Sequence, residues 1–512
     1  MSWLKVFENI RTIMVRTNRK LSGIRLPTTL AIGFIGQRSL PDEAKSRELL
    51  VEFLGERVRL TNGLVYGVSS LAEGGNLLFT EVCIQLGISL QLLLPVPPDK
   101  LQASFNPSTW ARARRVLDQA ISIEIVAAQN SVEDASYECG IETIQRSSLL
   151  VALWNGEPSG RIGEVYQIVT FAKQIGRPMV WIHSEQGTVQ SLSHETERRL
   201  LHDPELNFLN DLPDCGVACS DGSPTTIAVQ WFKKIDANAS KLAPQVRRAA
   251  SIPILYTAVA AVLSGAASKS SAGTVWIAAS AALGIIATAL PVALRLDRRQ
   301  AVWARTRTAA EVCRSVLAQW NTPFQSEVIG PEIGSELAGT LTSLRLLKMQ
   351  AAAHGRASLE EFKKQYLKDR ILDQMDYYSR HAEQADHEAC KYRRITFVSI
   401  GSAVLLSLCW IAGIMGVPGL QGVMHGHWFG LSLSALFQGA TVVGALQIVN
   451  DSKRRQRRYR ELHNWLSDWN CQLGALRTWS SVLKVVVQVE KTLMVELLEW
   501  RSLARNTKLP RK

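Results

Sequence analysis

Residues 395–450 contain no Asp, Glu, Lys or Arg, and this run constrains the fold more than any other feature of the sequence. A helix needs about 20 apolar residues to cross a hydrocarbon layer about 30 Å thick. The run accommodates two such helices, at 395–417 and 428–449, joined by a glycine-containing turn. We therefore predict a transmembrane hairpin. The alternative is a buried hairpin in the core of a large helical domain.

A second apolar stretch lies between Arg248 and Arg295, and Lys269 is its only Asp, Glu, Lys or Arg residue. It predicts another hairpin, with arms at 252–267 and 274–294. The first arm is short for a hydrocarbon core, whereas the second is long enough. Together the two hairpins predict an all-α membrane domain with about four transmembrane helices.

The formal net charge of +13 suits a protein that binds either nucleic acid or anionic lipid, so the position of the charge has to decide. Basic residues flank the outer ends of both hairpins, as at Arg248, Arg295 and Arg394, and a basic run follows at 453–460. By the positive-inside rule, both turns face outward and both termini face the cytoplasm of an inner (plasma) membrane. Because the basic run directly follows a predicted span, phospholipid headgroups are favoured over nucleic acid.

Ahead of the hairpins, residues 28–184 alternate short apolar runs with amphipathic helical spacing, which is typical of a parallel sheet in an α/β fold. The first twenty residues are basic but lack a continuous apolar core, so no cleavable secretory signal is evident. We expect a cytoplasmic Rossmann-like domain. The predicted strands are 30–35, 90–95, 148–154 and 178–183, and the predicted helices include 42–55 and 163–175.

Beyond the sheet, residues 185–248 are less periodic and predict a connector whose last helix ends at Arg247 and Arg248. Leu, Val and Trp recur at helical spacing over 462–500, which predicts packing against a long helix at 362–394 or against other subunits. The predicted division is 1–27 extension, 28–184 nucleotide-binding domain, 185–248 connector, 249–322 first hairpin with an amphipathic helix, 323–361 linker, and 362–512 long helix, second hairpin and C-terminal helices.

Three glycine-bearing turns follow strands or open helices of the predicted sheet. In doubly wound sheets, such turns meet at the carboxyl edge and can admit a phosphate to the backbone and to a helix N-terminus. The eight cysteines include only one close pair, Cys215 and Cys219, so we expect no metal. The candidate ligand-binding residues are Gly36, Arg38, Gly74, Gly75, Asn76, Glu81, Asn155, Gly156, Gly163 and Glu164.

Over residues 31–183 the order of these elements resembles the SLOG family, a Rossmann-like fold shared with LOG phosphoribohydrolases and DprA-type proteins. In predicted SLOG sensors, a Gly-His-Arg-like turn, a Gly-Ala-Asp stretch with a following Glu, and a Trp-Asp-Gly stretch followed by Gly-Gly-Thr line a nucleotide pocket. The corresponding residues are Gly36-Gln-Arg38, Gly74-Gly-Asn76 with Glu81, and Trp154-Asn-Gly156 with Ile162-Gly-Glu164. Asn76 and Asn155 stand where Asp is usual, and Ile162 and Glu164 replace Gly and Thr.

The membrane half resembles SLATT modules, which are membrane-spanning hairpins with cytoplasmic helices. The resemblance rests on residues 366–370 and 373–378 before the second hairpin, and on Trp303, Glu311 and Trp500 after the hairpins. Two SLATT-like units in tandem would account for the two hairpins.

The resemblance implies a membrane effector of a bacterial defence or stress system, in which a nucleotide second messenger or NAD-derived ligand triggers membrane disruption by a homo-oligomer. No resident cofactor is expected. The alternative is a LOG-type hydrolase of a nucleotide or NAD, with Glu81 and Glu164 as catalytic candidates. A transporter is disfavoured because the predicted spans carry no acidic or basic residue to handle an ion.

Overall fold

The computed structural model describes most of the chain, and its elements are numbered below in chain order. The described residues are 24–61, 63–126, 131–157, 165–190, 192–217, 222–267, 273–293, 296–323, 331–353, 355, 357–415, 427–450 and 452–506. Gly163, Glu164, Lys269 and most of the predicted turn between the second pair of spans lie outside them.

Compactness divides the chain into two units, which are described separately. The first contains residues 1–235 and 319–357, and the second contains residues 236–318 and 358–512. The chain therefore passes between the units three times, after Ile235, Ala318 and Ala357.

The described strands are β1 (Thr29–Gly36), β2 (Leu64–Ser70), β3 (Ser89–Leu94), β4 (Ser122–Ile125), β5 (Leu149–Trp154), β6 (Met179–His183) and β7 (Val189–Gln190). The helices are α1 (Glu43–Leu60), α2 (Gly75–Gln85), α3 (Pro98–Leu101), α4 (Pro107–Gln119), α5 (Val132–Arg146), α6 (Val165–Gln174), α7 (His194–Leu201), α8 (Pro204–Asn210), α9 (Pro224–Ala267), α10 (Gly273–Ala293), α11 (Leu296–Ala318), α12 (Pro331–Glu336), α13 (Ala338–Ala352), α14 (Leu359–Tyr366), α15 (Asp373–Ile414), α16 (His427–Asn450), α17 (Ser452–Ala475) and α18 (Trp479–Asn506). A 3-10 turn follows α3 at Gln102–Ser104, and a π-helical turn at Leu367–Leu372 joins α14 to α15.

The first unit is built on a seven-stranded sheet in the order β4-β3-β2-β1-β5-β6-β7. All neighbours are parallel except β6 and β7. Strands β1, β3 and β5 read as nearly continuous apolar runs because helices cover both of their faces. Leu30, Ile32 and Phe34 of β1 face α1 and α2, and Phe34 stacks on Phe79 at 4.4 Å between ring centroids. Ala31 faces the opposite layer, with Cys139 of α5.

The predicted α/β class and the four predicted strands are confirmed, but three strands were missed. In β2, Gly67, Ser69 and Ser70 are residue types typical of a turn. Ser69 is nevertheless fully buried, and its hydroxyl donates to the carbonyl oxygen of Ser70 at 2.9 Å, with the Phe34 carbonyl oxygen of β1 also near, at 3.4 Å. The other two missed strands, β4 and β7, are short edge strands. Burial between two strands, rather than side-chain polarity, makes β2 a strand.

Helix α13 packs on the sheet, although the sequence assigned its residues to a linker. Leu346 and Met349 are buried with Ala31, Tyr66 and Val68 of β1 and β2. These apolar side chains leave water only when the sheet is already assembled, so their local spacing gives no sign of their partner.

The predicted extension and connector also contribute to this unit. Trp231 and Lys234 of α9 are almost completely buried. The Lys234 ammonium donates to the carbonyl oxygens of Ile24 at 2.9 Å and Asn210 at 2.8 Å, and it pairs with Asp214 at 3.0 Å. These contacts satisfy a buried cation that would otherwise be costly, and they fix residues just before β1 to the segment after the sheet.

In the second unit, two helical stretches are long and apolar enough to cross a membrane. They fall within Pro224–Ser264 and within Leu359–Ala412, and only 7% and 6% of their apolar windows are buried. Thr274–Ala289 and Ala435–Ala445 form shorter apolar helices. The predicted helix end at Arg247 and Arg248 is wrong, because α9 continues without a break to Ala267.

The C-terminal helices of this unit pack against α14 and α15, which confirms the predicted intrachain packing. Phe362, Tyr366 and Tyr378 form one core with Leu466 and Val486. Within it, the Arg370 guanidinium pairs with Glu490 at 2.7 Å, and the Tyr366 hydroxyl donates to Glu490 at 2.9 Å. Removing one member of such a buried pair leaves an unpaired charge, which is strongly destabilising.

Replacing Leu346 with Ala is expected to destabilise the first unit by about 2–5 kcal/mol, since the side chain is 1% exposed and a cavity would remain. Hydrogen–deuterium exchange of the full chain should accelerate in β1 and β2. Leu341→Ala, at a half-buried position of the same helix, is the control and should have a smaller effect. Unchanged exchange in both strands for Leu346→Ala would show that α13 does not stabilise the sheet.

Candidate ligand-binding site at the carboxyl edge of the sheet

Three turns at the carboxyl edge of the sheet form what we call the edge site: residues 36–38 after β1, residues 74–76 at the start of α2, and residues 154–156 at the end of β5. Strand β1 lies between β2 and β5. The chain builds outward from β1 to β4 and then returns to the other side of β1. Ligands of doubly wound sheets bind where the strand order reverses in this way.

Gln37, a residue that the sequence did not single out, joins all three turns. Its backbone amide donates to the carbonyl oxygen of Leu153 at 3.1 Å, and its carbonyl oxygen accepts from the Gly75 amide at 2.9 Å. Its side-chain Oε1 accepts from the Asn155 amide at 3.1 Å. The edge site is therefore held together mainly through the backbone of one residue. Only its position between Gly36 and Arg38 could have drawn attention to it.

Asn76 links the ends of β1 and β2. Its Oδ1 accepts from the Gly36 amide at 2.7 Å, and its Nδ2 donates to the Ser70 hydroxyl at 2.7 Å. The residue is 6% exposed. An ionised Asp could accept from the Gly36 amide, but it has no N–H group to donate to the Ser70 hydroxyl. The carboxamide thus fits a structural role at the position where the SLOG pattern has Asp.

The glycines of the first two turns permit close backbone crossing. A Cβ on Gly36 would lie 2.8 Å from the Gly75 Cα, and a Cβ on Gly75 would lie 2.9 Å from the Gly36 Cα. Gly74 has φ +84°, and a Cβ there would collide with the Arg38 carbonyl oxygen. These glycines are required for packing of the turns whether or not a ligand approaches.

The first turn of α2 is already partly used by the backbone. Besides the Gly75 amide, the Leu77 amide donates to the Ala72 carbonyl oxygen at 3.0 Å. A phosphate on this helix N-terminus would have to compete with these bonds. The amides of Gly75 and Leu77 at this helix N-terminus are therefore not free to bind an anion.

Arg38 offers the cationic group of the edge site. Its side chain is exposed, and within the described part of the chain it forms no hydrogen bond or ion pair. The nearby Glu73 carboxylate accepts from the Thr109 hydroxyl and from the Asn106 amide, and these bonds lower the pKa of Glu73, with a smaller contribution from the charge of Arg38. The Arg38 guanidinium remains free to bind an anion.

The third turn adds aromatic surface. The Asn155 Oδ1 accepts from the Glu157 amide at 3.1 Å, and Gly156 adopts φ +91° beside the Trp181 ring. Trp154 lies 5.8 Å from Trp181 and 6.1 Å from Tyr166 between ring centroids. Tyr166 is 41% exposed. Aromatic faces of this kind suit a planar base. The sequence did not single out Trp181, because it is distant in the chain from the three glycine-bearing turns.

Glu81 does not belong to the edge site. Its carboxylate binds Arg112 of α4 through both oxygens, at 2.7 and 2.8 Å, and it also pairs with Arg47 of α1. Burial would raise the pKa of Glu81, but the hydrogen bonds from Arg112 and Arg47 outweigh burial and lower it. A carboxylate held in this way is poorly suited to accept or donate a proton in catalysis. Glu81 instead fastens α2 to its neighbouring helices.

The edge site therefore combines a free arginine, polar backbone and exposed aromatic surface, but no carboxylate with a raised pKa among the described residues. In the same described residues, no group of three or more His, Cys, Asp or Glu side chains is placed to hold a metal ion. Gly163 and Glu164 lie outside the described residues. No protein-family model matches the chain, and no curated protein matches it in sequence.

Replacing Gly36 with Ala tests the backbone crossing. The new methyl group would meet backbone atoms at 2.8 Å, so the turn must shift, and we expect a loss of about 1–3 kcal/mol of stability. Gly55→Ala, inside α1 with no atom within 4 Å of the new methyl, should instead stabilise by about 0.5–1 kcal/mol. Urea denaturation of the full chain in detergent measures both. Equal effects would contradict the tight crossing.

Replacing Glu81 with Gln tests the ion-pair cluster through its pH dependence. Because the folded pKa of Glu81 is lowered, its contribution is complete above the ordinary glutamate value, about 4.3, and is lost as pH falls through the folded value. The variant should be less stable than wild type by about 2 kcal/mol at neutral pH, and this gap should narrow in acid. Exposed Glu52, replaced with Gln, is the control. A gap that widens in acid would contradict the assignment.

Proposed function

We propose that the chain is a membrane effector in which the edge site binds a nucleotide-derived ligand and the membrane helices respond to it. The observation that carries the proposal is that the turn bearing the free Arg38 is hydrogen-bonded through Gln37 to the Asn155 turn, at the point where the strand order reverses. This is where doubly wound sheets take nucleotides. Trp181 and the exposed Tyr166 supply aromatic surface beside it.

The helical unit supports the membrane part of the proposal. Phe397, Val398 and Leu405 of α15 are each at least 64% exposed, on a helix whose apolar window is almost unburied. A soluble protein rarely exposes apolar surface on this scale, whereas lipid would cover it. With α10 and α16 as the shorter partners of the two long helices, the proposal includes four spans, a multi-pass inner-membrane location and cytoplasmic termini.

Coupling between ligand and membrane requires that the ligand prefer one of two states. The chain crosses between the units three times, so a change at the sheet has three covalent routes to the helices. We propose that the effector acts as a homo-oligomer and serves a bacterial defence or stress response, as its resemblance to SLOG and SLATT proteins implies. The ligand would be a nucleotide second messenger or an NAD-derived molecule.

Hydrolysis is the less supported alternative. Loss of a base from a nucleotide calls for a carboxyl group placed at the reacting carbon with a suitable pKa. Glu81 is bound to two arginines, and Glu73 is bound to Thr109 and Asn106 with a lowered pKa. The carboxylates of Glu81 and Glu73 are therefore engaged in structural bonds.

Arg38→Ala tests the site directly. Loss of a charged hydrogen bond to phosphate should weaken binding about tenfold to a hundredfold. The measurement is calorimetric titration of the full chain in detergent with NAD, ADP-ribose and cyclic dinucleotides. Arg59→Ala is the matched control, because Arg59 is exposed in the last turn of α1, at the opposite edge of the sheet. Equal affinity of all three proteins would reject the edge site.

The same proteins test the coupling and the chemistry. Reconstituted into dye-filled vesicles, the wild type should release dye only when the bound nucleotide is present, and Arg38→Ala should not. Leakage without ligand, or ligand-dependent leakage from Arg38→Ala, would reject the coupling. Chromatography of the nucleotide after incubation should recover it intact. Release of a free base would show that the protein is a hydrolase.

A further inference from the structure

A polar cavity of about 240 Å³ lies between α15 and α17, next to the two ends of the charge-free run 395–450. We call it the foot cavity. It is smaller than the pockets of about 300–1,000 Å³ that take drug-sized molecules, so a small polar group is the appropriate size of occupant. Its lining residues are Asp386, Ala389, Cys390, Arg393, Gln456 and Arg457.

Two arginines of the foot cavity form no ion pair with a described carboxylate. Arg393 and Arg457 are exposed, and neither has a carboxylate of the described residues within 4 Å. The neighbouring Arg455 differs, because it pairs with Glu388 at 3.1 Å. Guanidinium groups on two facing helices can grip one phosphate from both sides.

The one carboxylate of the cavity is engaged in holding its wall together. The Gln456 Nε2 donates to the Asp386 Oδ1 at 2.6 Å, which ties α17 to α15. Ala389 and Cys390, two small side chains, also line the cavity. The groups that can bind an anion in this cavity are therefore the two arginines. Asp386 instead accepts the hydrogen bond that joins α15 to α17.

The position of the foot cavity next to the predicted span indicates that the anion comes from a lipid headgroup. Arg393 comes two residues before the charge-free run, which is about 3 Å along a helix at 1.5 Å per residue. Ile395 and Phe397, directly above it, are exposed apolar side chains. The headgroup layer on each side of a hydrocarbon core is about 5–7 Å thick. If α15 enters a membrane at Ile395, Arg393 stands among headgroup phosphates.

We propose that the foot cavity binds the phosphate group of an anionic phospholipid between Arg393 and Arg457. The proposal rests on the membrane insertion of α15 and α16 in the proposed function, but it does not depend on the edge site. A bound lipid would hold α15 and α17 at a fixed depth at the boundary between membrane and cytoplasm. The chemistry recognised is a phosphate ester, which could also belong to a soluble molecule.

The test uses the full chain in a non-ionic detergent, titrated with phosphatidylglycerol and followed by native mass spectrometry. Wild type should retain one tightly bound lipid. The double variant Arg393→Gln/Arg457→Gln should bind it about tenfold more weakly or worse. Arg394→Gln/Arg460→Gln is the matched control, because it removes the same charge from exposed positions on the same helices outside the cavity. It should bind as wild type.

The source of the phosphate is decided by competition. Glycerol phosphate, which has no acyl chains, should not displace the lipid at millimolar concentration. Displacement would overturn the lipid assignment in favour of a soluble anion. Equal weakening in both double variants would overturn the cavity itself, since general surface charge would then suffice.

Two further measurements separate this proposal from the proposed function. A full chain that stays monodisperse without detergent would contradict membrane insertion, and with it the lipid site. The Arg393→Gln/Arg457→Gln variant should lose lipid binding but should bind the nucleotide at the edge site as the wild type does. Circular dichroism of both double variants should match wild type, and Arg393→Lys/Arg457→Lys, which keeps the charge, should recover part of the affinity.

Discussion

The lack of charge in residues 395–450 is the constraint on which the second unit depends. A backbone surrounded by apolar side chains has no water to bond, so its amides and carbonyls must pair within a helix. The helix so formed exposes apolar side chains such as Phe397 and Leu405, and it is long and apolar enough to cross a membrane. The part of the chain that precedes this run must instead be fixed by packing against other helices. The buried pair of Arg370 and Glu490 does this, within a core that the C-terminal helices complete.

In the first unit the comparable element is Gln37. Its bonds to Leu153, Gly75 and Asn155 bring the ends of three strands together. Gly36 and Gly75 cross closely at the same place, and Arg38, the residue after Gln37, is exposed. A ligand at this point would contact a surface whose shape is set by backbone geometry, with a single free guanidinium to provide charge.

The predictability of the fold differed between elements for physical reasons. Strand β1 was predictable because both of its faces are buried and its sequence is continuously apolar. Strand β2 was not, because Ser69 and Ser70 look like turn residues along the chain, although their hydroxyls are hydrogen-bonded within the folded sheet and to Asn76. At the candidate site, Gly36 and Asn76 are where the glycine turns suggested. The ion pairs of Glu81 could not be predicted, because its partners Arg47 and Arg112 come from two other helices and are distant from it in the sequence.

By itself the sequence determined the properties that depend on local composition: where helices are apolar enough for a membrane, where strands are fully buried, and where glycine allows a turn. Only the tertiary structure decided which carboxylates are bound in ion pairs, that α13 completes the sheet, and that Arg393 and Arg457 face one cavity. Local composition sets the hydration of a segment, whereas pairing, pKa and cavity shape depend on residues that are distant in the chain and meet only after folding.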